Sequence, residues 1–361
     1  MAGVTAREIL ASSLNMKRKT LITGGAGFIG SHLCEALLHR GDEVFVIDDL
    51  STGRLENIAH LRDDPNFHLS VGTILDLACL EPMVRKCDRI VHLAAVVGVK
   101  KIIQAPVETI ETNVLGSHNV LTLAARYGKL CLVASTSEVY GKSSKHPFAE
   151  DDDVVYGATT KSRWSYACSK AIDEFLALAY HNAENLPVII ARMFNTTGPR
   201  QTGRYGMVLP RFVDQALRGD TITVYGTGQQ SRCFADVSDV VRALRLLLEQ
   251  PAAIGQVFNI GNPEETSILD LAWAVKRHAQ SDSQIRLIPY DQAYKPGFED
   301  MQRRVPNIDK ISRLVGFRPK IQLKEIVDRM IESRRQELQE AIPLRVTADL
   351  PSRALPAGAL E

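Results

Sequence analysis

A phenol and an ammonium stand four residues apart in Tyr166-Ala-Cys-Ser-Lys170, a spacing that puts both on one face of a helix. A free tyrosine, with a pKa of about 10, is a poor base at neutral pH. A neighbouring Lys⁺ favours the phenolate and lowers that value, so the pair is suited to taking a proton from a substrate hydroxyl. Alone, Tyr-x-x-x-Lys is a commonplace pair of helix-surface residues. Thirty residues upstream, however, Ser135-Thr136-Ser137-Glu138 follows an apolar strand and supplies hydroxyls at that strand's carboxyl end.

A proton abstracted from a carbinol is useful only if something takes the hydride, and the start of the chain provides for it. Thr23-Gly24-Gly25-Ala26-Gly27-Phe28-Ile29-Gly30 follows the apolar run Leu21-Ile22 and leads into a helix carrying Leu33 and Leu37. Gly24, Gly27 and Gly30 let backbone N–H groups approach a phosphate with no Cβ in the way, and the helix N-terminus adds favourable partial charge. The turn predicts a bound dinucleotide. Its spacing is Gly-x-x-Gly-x-x-Gly rather than the Gly-x-Gly-x-x-Gly of ordinary dehydrogenases. Asp48, at the end of the second strand, can accept hydrogen bonds from ribose hydroxyls and would repel a 2′-phosphate, which favours NAD over NADP. Ser51-Thr52-Gly53 follow it as further ribose-side groups. With NAD in place, its positive nicotinamide ring joins Lys170 in lowering the pKa of Tyr166, and the pair can act on a hydroxyl whose carbon gives up hydride.

These groups need a frame, and the sequence predicts one. Strand-like runs at Thr20-Thr23, Val44-Ile47, His68-Val71, Arg89-Leu93, Leu130-Ala134 and Val188-Arg192 alternate with helical patterns at Leu77-Cys87, Asn113-Tyr127 and Ser165-His181. The alternation implies a doubly wound α/β fold, a parallel sheet with helices on both faces and ligands at the carboxyl ends of its strands. After Asn195 the pattern loosens. Loops at Thr196-Tyr205, Gly226-Arg232 and Tyr290-Pro306 alternate with helices at Val208-Arg218, Val237-Glu249 and Ile268-His278. The expected division is a dinucleotide domain over 18–195, to which 233–260 returns, and a smaller interleaved substrate lobe from 196–232 and 261–335. Residues 1–17 are expected as a flexible leader and 341–361 as a flexible tail.

Composition sets outer bounds. The chain has 361 residues, 43 Lys plus Arg against 42 Asp plus Glu, and 45% hydrophobic content. No global field favours nucleic acid or an anionic membrane. Six scattered cysteines without a Cys-x-x-Cys pair fit free thiols in a reducing compartment, and no metal site is readable. With no apolar window long enough to span a bilayer, the expectation is a soluble cytoplasmic protein.

Over about residues 18–335 the chain resembles the extended short-chain dehydrogenase/reductases that act on nucleotide sugars. The resemblance is carried by the glycine turn, His92-Leu93-Ala94-Ala95, Asn113, Thr136-Ser137-Glu138-Val139-Tyr140-Gly141, Tyr166 with Lys170, and Arg192-Met193-Phe194-Asn195 leading to Gly198-Pro199-Arg200. It implies a Rossmann-type fold and an NAD that stays bound and is recycled within one turnover. Tyr166 would be the base, Lys170 its electrostatic partner and a ribose ligand, and Thr136 the hydroxyl at the sugar's O4. Phe28, Ile29, Leu93, Ala94, Ala95, Asn113, Thr73 and Ile74 join the cofactor site by the same resemblance. Ile222-Thr223-Val224-Tyr225-Gly226 and Ser231-Arg232-Cys233-Phe234 resemble segments that clasp a nucleoside diphosphate, with strand backbone at Val224 and Tyr225 against the base and Arg232 on phosphate oxygens. Asn195 would contact the same diphosphate, and Ser137 the sugar. A homodimer through the helices Asn113-Tyr127 and Ser165-His181 is also implied. Two positions depart from the pattern. Thr73 follows Gly72 where many relatives have an adenine-contacting Asp, and Asn195-Thr196-Thr197-Gly198-Pro199 has threonine where tyrosine is usual.

The fate of a 4-ketone decides the reaction. Related 4,6-dehydratases carry Asp-Glu after the threonine, but here the pair is Ser137-Glu138, as in UDP-glucuronate decarboxylases. Gly297-Phe298-Glu299-Asp300-Met301-Gln302-Arg303-Arg304-Val305-Pro306 is similar to the decarboxylase segment whose arginine, two residues before proline, reaches the sugar; that residue is Arg304. A 4-keto uronate is a β-keto acid, which loses carbon dioxide readily. Arg304 would orient the carboxylate, and Glu138 would serve proton transfer near C5. The expected function is therefore decarboxylation of UDP-glucuronate to UDP-xylose. The alternative is 4-epimerisation of a nucleotide hexose or hexuronate, and a more remote one a dinucleotide-sensing protein without turnover.

Overall fold

The computed structural model describes residues 17–98, 105–203, 206–293 and 301–340. Lys17 apart, the expected leader and tail lie outside them, as do residues 297–300 of the segment that leads to Arg304. The strands β1 (Lys19–Thr23), β2 (Glu43–Asp48), β3 (Phe67–Val71), β4 (Arg89–His92), β5 (Leu130–Thr136) and β6 (Val188–Met193) fall within a residue or two of their predicted places. They form one parallel sheet, joined by a seventh strand, Gln256–Ile260, beside β6. The order is Gln256–Ile260, β6, β5, β4, β1, β2, β3. The direction of winding reverses between β1 and β4, which opens a crevice above their carboxyl ends.

Strand residues alternate between two buried layers, as a period of two requires in a sheet covered on both faces. Ile22, Val44, Val46, Val91 and Leu132 pack on one side against Leu33 and Leu37 of the first helix, Phe28–Leu38, and Val240, Leu244 and Leu247 of the helix Val237–Leu248. Leu21, Phe45, Ile47, Ile90 and Val133 pack on the other against Leu80 and Val84 of Leu77–Lys86, Val120 and Leu121 of Pro106–Arg126, and Ala177 of Ser165–Glu184. The helix Leu77–Lys86 begins where the Asp76 carboxylate accepts from the Ala78 N–H as an N-cap.

A third apolar cluster sits away from the sheet. Leu209, Phe212, Val213 and Ala216 repeat at three and four along Val208–Arg218, which stops at Gly219 with φ +74°. They pack against Ile222 and Val224, against Leu271 and Val275 of Ile268–His278, and against Ile326 and Met330 of the long helix Leu323–Glu340. The stretch expected as loop at Gly226-Arg232 ends in a short strand, Ser231–Cys233, paired antiparallel with Glu265–Ser267.

Candidate active site

Two clefts open above the carboxyl ends of the strands. The first runs over the glycine turn and past Asp48, Ser51, Thr52, Thr73, Ile74 and the segment Leu93-Ala94-Ala95 to Tyr166 and Lys170. Its floor requires glycine. Gly24 has φ +74°, and a Cβ there would lie 2.8 Å from the Ala94 nitrogen; a Cβ on Gly30 would lie 2.2 Å from the Gly24 carbonyl oxygen. Gly27 caps the first helix without any side chain, leaving its N–H groups facing the cleft as an anion cradle. The shape and donor set fit the diphosphate of a dinucleotide.

Asp48 lines this cleft but is already engaged. Its carboxylate accepts from the Ala26 N–H at 2.9 Å and the Leu50 N–H at 2.8 Å, tying the glycine turn to the end of β2. Burial nevertheless holds its pKa above the ordinary carboxylate value. A ribose would use the lone pairs that remain. Gly53 and Asn113 stand behind the wall. A Cβ at Gly53 would lie 2.6 Å from an Asp48 oxygen, and Asn113 accepts from the Val96 N–H at 2.8 Å while donating to Ser169 Oγ at 3.2 Å. Asn113 thus fixes the loop after β4 to the helix that carries Tyr166.

The second cleft is lined by Thr136, Ser137, Glu138, Asn195, Tyr225, Arg232 and Arg304, and it shares Tyr166 with the first. Val224 is not among its walls; its side chain is fully buried in the apolar cluster of the smaller lobe. The free edge of that strand is partly occupied as well. Gln215 accepts from the Thr223 N–H at 3.1 Å, and Gln230 donates to the Tyr225 carbonyl at 2.9 Å. Arg232 is buried, held by the Ser231 carbonyl at 2.8 Å. Asn195 donates to the Cys233 carbonyl at 3.1 Å.

Tyr166 and Thr136 line the same cleft, and Thr136 Oγ1 accepts from the Glu138 N–H at 3.2 Å. The expected lowering of the phenol's pKa by Lys170 is not what the protein's own groups produce. Burial, then the charges of Glu138 and Asp173, push Tyr166 well above the ordinary tyrosine value. Part of the reason, after burial and Glu138, lies on the next turn of the helix, where fully buried Asp173 holds the Lys170 ammonium at 2.7 Å and sets an anion beside it. Behind this pair, Ser117 reaches His92 Nε2 at 3.0 Å, and His92 Nδ1 reaches Thr23 Oγ1 at 2.8 Å. Burial, then the Lys170 charge, lowers His92 to about 3, so the imidazole is neutral.

Glu138 is held by two guanidiniums. Arg304 Nη1 donates to Oε1 at 2.6 Å, and Arg163 Nη1 lies 2.5 Å from Oε2. Burial works to raise this carboxyl, but Arg163 and Arg304 outweigh it and bring it to about 2. Arg163 escapes a reading that starts from Tyr166, although it precedes that residue by three and therefore lies one turn away on the same side. Arg303, by contrast, turns outward to Glu265 at the surface.

A buried network positions Arg304. Glu174 receives two parallel bonds from Arg192, at 2.9 and 2.7 Å, and Arg192 donates to Tyr140 Oη at 2.9 Å. Tyr140 donates to Asn259, whose amide holds the Phe148 and Asn307 carbonyls. Phe148 in turn pairs with the strand after Arg304, donating to Val305 O and accepting from Asn307 N at 2.8 Å each. The helix of Tyr166, the sheet and the Arg304 segment are thereby locked together.

The GDP-mannose 4,6 dehydratase family matches the chain over residues 21–330. The chain belongs to this family. It is 42% identical over 307 residues to a UDP-N-acetyl-alpha-D-glucosaminuronate decarboxylase of Bacillus cytotoxicus, covering 85% of this chain and 94% of that one. It is 40% identical over 330 residues to UDP-glucuronic acid decarboxylase 4 of Arabidopsis thaliana, covering 90% and 71%. Among solved structures, a dTDP-glucose 4,6-dehydratase of Streptomyces venezuelae with NAD and TYD bound superposes with a TM-score of 0.81 at 31% identity, covering 91% of this chain and 100% of that one. In a family described by its dehydratases, the site here has serine, Ser137, beside Glu138 and an arginine, Arg304, reaching that glutamate.

Proposed function

We propose that this protein is an NAD-dependent decarboxylase of a UDP-hexuronate, with UDP-glucuronate as substrate and UDP-xylose as product. The observation that carries the reading is the charge of the sugar cleft beside Tyr166, where Arg163 and Arg304 face the single carboxylate of Glu138. Arg211 and Arg232 line the same cleft, so its walls suit an anionic sugar nucleotide. The two decarboxylase relatives, both named for UDP-hexuronates, support it.

Bound NAD supplies the acceptor and later the donor of one hydride. Tyr166 takes the proton of the sugar's 4-hydroxyl, with Thr136 orienting the oxygen, and the phenol gains the needed acidity only beside a cationic ring. Arg304 binds and aims the C6 carboxylate. As the C5–C6 bond breaks, its electron pair passes to the C4 ketone, whose oxygen Tyr166 and Thr136 hold by hydrogen bonds. C5 then takes a proton from solvent by way of Glu138, in place of the carboxylate lost as carbon dioxide, and Tyr166 returns its proton to O4. Lys170 would hold the nicotinamide ribose, Arg232 and Asn195 would hold the diphosphate, and residues 18–195 with 233–260 would serve as the cofactor domain.

The protein is proposed to work as a homodimer in the cytoplasm. Pro106–Arg126 and Ser165–Glu184 pack on each other and leave Val107, Ile110, Ile172 and Phe175 exposed, Phe175 to 70%. Among the described residues no helix is long and apolar enough to cross a membrane. A light-scattering mass of one subunit would remove the dimer. For the reaction, purified protein is incubated with NAD and either UDP-glucuronate or UDP-N-acetylglucosaminuronate. Carbon dioxide with a UDP-pentose is expected from the first. Release only from the second moves the substrate to the acetamido sugar, and UDP-galacturonate without carbon dioxide makes the protein a 4-epimerase.

A further inference from the structure

We propose that His92 is a positioning residue: with its proton on Nε2, the imidazole turns the Ser117 hydroxyl towards Asp173 and so fixes the carboxylate that aims Lys170. The inference rests on the role given to Lys170 beside Tyr166. It adds to that role a chain of buried groups that begins at the glycine turn.

The chain crosses four elements. Thr23 ends β1, His92 ends β4, Ser117 lies in the helix Pro106–Arg126, and Asp173 lies in Ser165–Glu184. All four residues are buried, Ser117 and Asp173 completely, and His92, Ser117 and Asp173 line neither cleft. The ends of the chain decide which ring nitrogen carries the proton. Thr23 Oγ1 accepts from the Ala94 N–H at 3.1 Å and lies 2.8 Å from His92 Nδ1, the one acceptor for its own proton among the described residues. A buried hydroxyl proton left unbonded is costly, so Thr23 donates and Nδ1 accepts. The neutral imidazole then carries its proton on Nε2 and gives it to Ser117 Oγ at 3.0 Å.

The far end agrees. Asp173 Oδ2 holds Lys170 at 2.7 Å, while Oδ1 is buried without a hydrogen bond among the described residues. Burial holds the Asp173 carboxyl above its ordinary value, and Lys170 and then Ser117 draw against it. A serine that receives its bond from His92 keeps its own proton for Oδ1. The opposite tautomer would spend the Ser117 proton on Nε2 and leave both the Thr23 proton and Oδ1 unpaired. Held at both oxygens, the carboxylate has one orientation, and the ammonium it carries is fixed relative to the glycine turn.

Nitrogen NMR of the imidazole rings at neutral pH, with His92 assigned by its loss in His92→Gln, reads the tautomer with no reaction needed. A protonated Nε2 and a bare Nδ1 are expected, and the reverse, or a doubly protonated ring, would overturn the proposal. In NAD-loaded protein, Ser117→Ala is expected to lower kcat by about tenfold with KM for UDP-glucuronate and NAD content unchanged, as for a group acting on geometry at the reacting atoms. His92→Gln has one donor and one acceptor to offer and should recover most of the rate lost in His92→Leu. In an Asp173→Asn background Ser117→Ala should cost little more, because the acceptor of its proton is already gone. Full additivity, or glutamine no better than leucine, would reduce His92 and Ser117 to packing. Wild-type protein that releases no carbon dioxide would sink the decarboxylase reading, and the tautomer would still decide this one.

Discussion

The two clefts that meet at Tyr166 are built by opposite means. The cofactor cleft is made largely of backbone: glycines brought within contact distance of Ala94 and of each other, helix N–H groups, and short loops after β1, β2, β3 and β4. Its charges are settled inside the protein, Asp48 by backbone N–H groups and Lys170 by Asp173. The sugar cleft is made of long side chains drawn from distant parts of the chain, Glu138, Arg163, Arg232 and Arg304, and it keeps a positive excess. A backbone cradle binds what all its ligands share. A side-chain cluster rich in one charge selects one substrate among similar ones.

If that contrast is right, the ionisable side chain that faces both clefts, Tyr166, should be the most sensitive. Tyr166→Phe is expected to lower kcat by about 10³-fold or more, the range of a lost general base, with NAD still bound. Quenched-flow or product assays with a parallel NAD content measurement check it, and retained turnover would take proton transfer away from Tyr166. Next comes Arg304→Ala, expected to reduce kcat/KM for UDP-glucuronate by about 10²-fold through loss of a charge-assisted contact in the transition state. NAD content should not change. Equal loss of both would mean that Arg304 holds the fold together and that the clefts are not separable.

How far each cleft can be read from the sequence follows from the same contrast. Strand positions, the helices of the sheet and the glycine turn are local patterns of period two, 3.6 and three, and they fall close to where the sequence puts them, except that the helix expected from Asn113 begins at Pro106. So do Tyr166, Lys170 and Thr136. The Glu138 cluster depends on contacts between residues 138, 163 and 304, which no local period reports. Arg163 and Asp173 did carry a local signal, each three residues from a residue already singled out, but i,i+3 spacing alone does not distinguish a buried partner from a solvated one. The expected lowering of the Tyr166 pKa draws on a positive nicotinamide ring as well as on Lys170, and the protein's own groups alone push the phenol the other way. Counting Lys170 as an unneutralised cation omits both Asp173 and the cost of burial. Val224 was placed at the base-binding edge because strand backbone was counted as available, whereas Gln215 and Gln230 already occupy its neighbours.

A smaller effect should follow from altering the backbone cradle without touching a charge. In Gly30→Ala the added carbon would lie 2.2 Å from Gly24 O and 2.7 Å from Gly25 Cα, so the turn must open. NAD affinity is expected to fall by about tenfold, as for loss of roughly one good phosphate contact. Fluorescence titration with the dinucleotide measures it, and the ratio of UDP-glucuronate to UDP-glucose binding should stay constant. A changed ratio would show that the cradle also sets sugar choice.

The smallest expected effect tests whether the cofactor cleft is as self-neutralised as it looks. Asp173→Asn leaves an oxygen for Lys170 to bond but removes the negative charge that helps raise Tyr166. With that charge gone, the Lys170 ammonium acts on the phenol unopposed, and the pKa of Tyr166 falls. A base whose pKa falls is deprotonated at lower pH, so the acid limb of log kcat against pH should move towards acid, by about one unit or less for one charge at this remove. Loss of kcat by the same factor at every pH would instead make Asp173 a support for the position of Lys170. A limb displaced towards alkali would contradict the electrostatic account, because removing an anion near a phenol cannot make its ionisation harder.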